Sequence, residues 1–186
     1  MATVLSIPGA RSVSPAWRAA GAGLMATGAG ALLLYFAPAL RADLFAAGAA
    51  RLAAILLGTG VEREAAASVF VFGGRTVAVT AACSGTDFFL MVAALLGWGL
   101  ARARGGFVRP ALAGLALALP VALLVNAARI VAVTQAHRWV IPLLPERHGA
   151  FAHLLTGVAV FLPALIALNL VLETYAKRHR SSVRSS

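Results

Sequence analysis

At 186 residues, with 61% hydrophobic and only 12% charged side chains and a positive mean hydropathy, the chain has the composition of an integral membrane protein with one domain. Its net charge of +10 does not point to nucleic acid, because the basic residues are nearly all Arg and lie at the ends of apolar runs, as topology signals and lipid headgroup contacts do. The single cysteine, Cys83, excludes an intramolecular disulfide and leaves a free thiol to account for.

Residues 1–18 are polar and basic, with Pro8 and Pro15 discouraging a helix, and read as a cytoplasmic tail. Residues 19–40 are apolar, rich in Gly and Ala, and long enough to span. They exceed a signal-peptide core, and Ala37-Pro38-Ala39 is a poor cleavage site, so an anchor is the expectation. Within 41–58, Asp43 and Arg51 make a span expensive, since a mid-membrane Arg costs roughly 2.5–3.5 kcal/mol on insertion scales. A helix lying in the membrane interface is expected there, with Arg51 reaching toward headgroups. Next come Val69-Phe70-Val71-Phe72, a Gly73-Gly74 pair and Arg75-Thr76-Val77-Ala78-Val79, the signature of a β-hairpin that delivers the chain to Cys83.

A second span is expected from Ser84 to Ala101, closing on Arg102 and Arg104, with Ser84 or Asp87 satisfying its first-turn amides. Cys83 then sits at a helix start, where unpaired N–H groups and the helix dipole favour the nucleophilic thiolate; the plainer reading is a small buried hydrophobe. Arg109-Pro110 opens a third span that runs through Pro120 to about Val133 and carries Asn126 and Arg129, three residues apart on one face. Residues 134–152, with His137, Arg138, Trp139 and His148, read as a connection. A last span from Phe151 to Leu172 begins beside His153, and residues 177–186 form a basic cytoplasmic tail. The expected fold is an all-α polytopic membrane protein of about four transmembrane helices, with an interfacial helix and a small external β-hairpin. Residues 19–176 make up its single transmembrane catalytic domain.

Most basic residues fall before the first span, in the 102–109 loop and after the last span. Four spans place those three regions together on the cytoplasmic side. Cys83 lies 19 residues before Arg102, Arg129 lies 20 after Arg109, and His153 lies 20 before Glu173. Each interval is about 30 Å of helix, so a thiol, a guanidinium and an imidazole reach the outer membrane boundary together. Taken singly, Arg129 could snorkel to headgroups or pair with Asp87, and His153 could be an interfacial capping residue. His148 would stand a turn or more above that level, which leaves His153 the better-placed partner.

The segments Ala82-Cys83-Ser84-Gly85, Asn126-Ala127-Ala128-Arg129-Ile130 and His153-Leu154-Leu155-Thr156-Gly157, with Phe161 beyond, resemble the exosortase/archaeosortase family of membrane cysteine transpeptidases. The similarity covers roughly residues 65–172, and longer members carry extra N-terminal spans. It implies a Cys83–Arg129–His153 centre, with Asn126, Ser84, Gly85 and His148 near the substrate. Such a centre cleaves the C-terminal sorting signal of membrane-anchored proteins, made of a short motif, a transmembrane helix and a basic cluster. Independently of that name, a Cys83 thiolate can form a thioester, His153 can act as base and then acid, and Arg129 can stabilise the oxyanion. The expected setting is the plasma (inner) membrane with the site facing outside. The lipid bilayer is a partner, and no nucleic acid, cofactor or metal is called for, since no Cys/His pair has ligand spacing. Two alternatives stay open: an intramembrane serine-type protease built on Ser84 and His153, and a non-catalytic scaffold or small transporter.

Overall fold

The computed structural model describes residues 14–64, 67–140, 142 and 148–184. Ser14 caps the first helix, α1 (Pro15–Phe36), its side chain accepting from the Trp17 amide. Pro15, expected to discourage a helix, instead starts one, because the first helical position needs no N–H donor. A π-helical turn (Arg41–Ala46) leads into α2 (Ala47–Leu57), which is shorter than a span. Three antiparallel strands follow, β1 (Glu62–Glu64), β2 (Ala67–Phe72) and β3 (Arg75–Val79), in the order β1-β2-β3. A 3-10 turn (Ala81–Cys83) then precedes α3 (Thr86–Arg104), α4 (Val108–Trp139) and α5 (Gly149–Arg184).

Among the described residues four helices, α1, α3, α4 and α5, are long and apolar enough to cross a bilayer. The chain is a multi-pass membrane protein.

Three boundaries differ from the sequence expectation. Strand β1 was not foreseen, because Glu62-Arg63-Glu64 is exposed and carries no apolar alternation; Arg63 forms an ion pair with Asp43. Helix α4 continues past Val133 to Trp139, taking in His137 and Arg138, whose positive charge suits a helix C-terminus. Helix α5 likewise runs on through the basic cluster after Leu172.

Helix α3 is central, packing against α1, α4 and α5. Small residues make this possible: a Cβ on Gly114 of α4 would stand 2.5 Å from the Gly97 amide nitrogen of α3, and one on Gly97 would stand 2.9 Å from the Ala22 carbonyl of α1. Backbone approach of this kind replaces the hydrophobic drive that lipid removes. A second core lies on one side of α4, where Phe70 and Val79 of the sheet meet Ala49, Ala50 and Ala53 of α2 and Ala127 and Ile130 of α4. Cys83 packs against the edge of that core.

Candidate active site

The Cys83 turn is fixed from beneath. Its amide donates to the Thr80 carbonyl at 2.8 Å, and Asn126, 1% exposed, donates through Nδ2 to the carbonyls of Cys83 at 2.8 Å and Ser84 at 3.0 Å. One amide group therefore holds both carbonyls of the Cys83 turn. Gly85 joins that turn to α3 in the left-handed region (φ 68°), and a Cβ there would stand 2.8 Å from Asn126 Cγ. Helix α3 has no side-chain cap, so neither Ser84 nor Asp87 plays the capping role that the sequence suggested. Ser84 is 5% exposed, and its Oγ lies 3.3 Å from Thr86 Oγ1, an arrangement suited to a structural hydroxyl rather than a nucleophile.

Arg129 is held by one stripe of α5. His153, Gly157 and Phe161 follow one another at four-residue intervals, so they share a helix face. His153 Nε2 lies 3.3 Å from Arg129 Nη2, the Phe161 ring centroid lies 5.4 Å from the guanidinium carbon, and a Cβ on Gly157 would be 3.2 Å from Arg129 Nε. Phe161 stacks in turn on Phe88 of α3, with centroids 4.4 Å apart. Because Arg only donates, His153 Nε2 is the acceptor in this contact. The guanidinium is thus clamped between an aromatic face, a glycine and an imidazole.

Cys83, Arg129 and His153 line a single cavity of about 430 Å³ bounded by β3 and by the Ile130–Arg138 face of α4. The common height argued from helix rise is matched by this common cavity. Ser84, Gly85 and Arg129 also border a second cavity with Arg41, Asp87 and Phe161. Asn126 lies under the turn, and His148 lines a separate space with Val140, Phe151 and Thr156.

His137 joins the site instead. Its ring lies 6.3 Å from that of His153 in an edge-on arrangement, and it lines the same cavity. Its Nδ1 is 2.9 Å from the Val133 carbonyl, which can only accept, so the proton sits on Nδ1. The sequence reading missed His137 because it ended the helix at Val133; the signal was available, since His137 lies eight residues after Arg129, on the same helical face. Among the described residues no group of three His, Cys, Asp or Glu side chains could hold a metal ion.

A family model described as Transmembrane exosortase (Exosortase_EpsH) matches residues 1–170. The chain belongs to the transmembrane exosortase family. No curated protein and no solved structure matches it significantly. In this exosortase-family chain the matched region contains every residue of the Cys83 cavity.

Proposed function

We propose that the chain is a membrane-embedded cysteine protease or transpeptidase that cleaves the C-terminal sorting signal of membrane-anchored proteins through a thioester on Cys83. The observation that carries this reading is the gathering of a thiol, a guanidinium and an imidazole around one cavity in a member of the exosortase family. The Cys83 proton passes to His153 Nε2 as the sulfur bonds to the scissile carbonyl carbon. The oxyanion draws the Arg129 guanidinium away from His153, which frees Nε2 to receive that proton. Breaking the C–N bond releases an amine that takes the proton back from His153, leaving the acyl group on sulfur. Water, or an acceptor amine or hydroxyl, then resolves the thioester. With the basic loops cytoplasmic, the cavity faces outside, across the plasma membrane.

The test uses purified full-length protein in lipid vesicles with a reporter bearing a C-terminal motif, a membrane helix and a basic cluster. Acid quenching should trap an adduct on Cys83 that hydroxylamine releases, and Cys83→Ala should lose both adduct and cleavage. Cleavage that survives in Cys83→Ala would overturn the reading.

A further inference from the structure

Strand β3 is an edge strand, and the Cys83 cavity runs along its open side. All five of its consecutive residues, Arg75 to Val79, line that cavity. A cavity against one face of a strand would be lined by alternate residues only, so contact with all five means that it follows the strand's edge.

The hairpin register identifies which backbone groups lie there. Gly73 and Gly74, at φ 58° and 74°, make a two-residue turn closed by the pair Phe72↔Arg75, which exchanges hydrogen bonds. Pairs then alternate, so Arg75, Val77 and Val79 direct N–H and C=O toward β2, whereas Thr76 and Ala78 direct theirs away from it. The same alternation turns the Val71 carbonyl away from β3, and that carbonyl is the one that accepts from Thr59 Oγ1 at 2.9 Å. Among the described residues no partner of β3 other than β2 takes up these groups.

We infer that the segment of the substrate to be cleaved binds as a fourth strand, its main chain paired with the N–H and C=O groups of Thr76 and Ala78. This rests on the reading of Cys83 as nucleophile and adds how the substrate is held. An extended peptide is the occupant that fits, because an unpaired strand edge is satisfied by another strand, and because the chain leaves β3 through Thr80 straight into the Cys83 turn. A scissile carbonyl carried along β3 is delivered to the sulfur in the same line. Charge narrows the choice within the substrate: among the described residues the cavity's charged lining is Arg75, Arg129 and Arg138, with no carboxylate, so the substrate's basic cluster is repelled and its short motif is the paired segment. Main-chain pairing supplies affinity independent of sequence, and alternate side chains of the motif face the cavity wall for selection.

Proline separates the two edges of β3. Ala78→Pro and Thr76→Pro remove an N–H that points away from β2, so the hairpin keeps its bonds, as edge prolines do. Each should lower reporter cleavage by roughly five- to tenfold, the worth of one main-chain hydrogen bond, at equal amounts of inserted protein. An ester in place of the reporter amide that pairs with the Ala78 carbonyl should act similarly. To guard against a distorted site, alkylation of Cys83 by a small soluble reagent is measured beside cleavage, and a second arm uses Ala78→Cys in the Cys83→Ala background. Disulfide capture of single-cysteine reporters by that variant should rise and fall with a period of two residues. Capture spaced by three or four residues, equal capture at neighbouring positions, or none would overturn the inference. So would normal cleavage of the ester reporter and by both proline variants. Cleavage that persists in Cys83→Ala would instead remove the underlying reading of the thiol.

Discussion

Asn126 donates to the carbonyls of Cys83 and Ser84, so the position of the Cys83 turn depends on it. Asn126→Ala removes both bonds to the Cys83 and Ser84 carbonyls, and at about 1 kcal/mol each in net terms the turn loses on the order of 2 kcal/mol of restraint. The variant should insert normally and cleave the reporter about 10–100-fold more slowly, the loss expected when reacting groups are held 1 Å out of place. Arg129→Lys separates catalysis from anchoring: a Lys reaches headgroups equally well but presents a point charge instead of a planar fork. Turnover should fall by about 10²–10³, as for removal of an oxyanion donor. Near-normal cleavage by the Lys variant would take Arg129 out of the chemistry. Gly157→Ala reaches the same group from the other side, because its added Cβ would stand 3.2 Å from Arg129 Nε, a contact that the guanidinium must relieve by shifting a few tenths of an ångström; a smaller loss of cleavage than for Arg129→Lys is expected. That Cys83, Arg129 and His153 would lie near one another was legible in the sequence, because helix rise alone gives a residue's height along a span. The clamp on Arg129 was not, since height says nothing of which helix faces which.

The sheet and the C-terminal end of α4 act as one element. Arg75 Nη1 donates to the His137 carbonyl at 3.0 Å, and the Arg138 guanidinium lies 5.5 Å from the Phe72 ring centroid, so the hairpin is tied to the last turn of α4 by two arginines. Changing Arg75 and Arg138 together to Ala should leave insertion intact and raise amide hydrogen exchange over 67–79, at a cost of roughly 1–2 kcal/mol for the lost bond and cation–π contact. Unchanged exchange would mean that the Phe70 and Val79 core alone holds the sheet. This element shows where sequence reading stops. The alternating Val and Phe residues about Gly73-Gly74 announce a hairpin, because burial of one face and a left-handed turn both leave marks in residue type. Strand β1 leaves none, since a short exposed strand is specified by its neighbour's backbone. The end of α4 was set too early for a related reason: His137-Arg138-Trp139 reads as polar connection, although basic side chains are favourable in a last helical turn.

At the scale of the molecule, four crossings place Cys83 and the Gly105-Gly106 loop at opposite ends of α3. A cysteine introduced at Gly105 should therefore label from one side of sealed vesicles and Cys83 from the other; labelling of both from one side would break the four-span topology. Helix α5 stands apart in this arrangement, with most of its apolar surface outside the protein core: Leu154, Val158, Leu162 and Ile166 are all exposed. Its apolar run, residues 151–172, would be about 33 Å long as helix, slightly more than a hydrocarbon layer of about 30 Å. A helix too long for its bilayer leans, and it leans further as the bilayer thins. Phe161 and Leu172 tie α5 to α3, and His153, set against Arg129 of α4, lies about 12 Å along the helix from Phe161. On the proposed mechanism, a change of lean would move the imidazole relative to Arg129, so acyl-chain length is expected to bear on cleavage. Cleavage measured in vesicles of graded acyl-chain length should pass through a maximum at one thickness and decline on either side, with the amount of inserted protein constant. A rate indifferent to thickness would mean that the clamp on Arg129 holds α5 against the lipid.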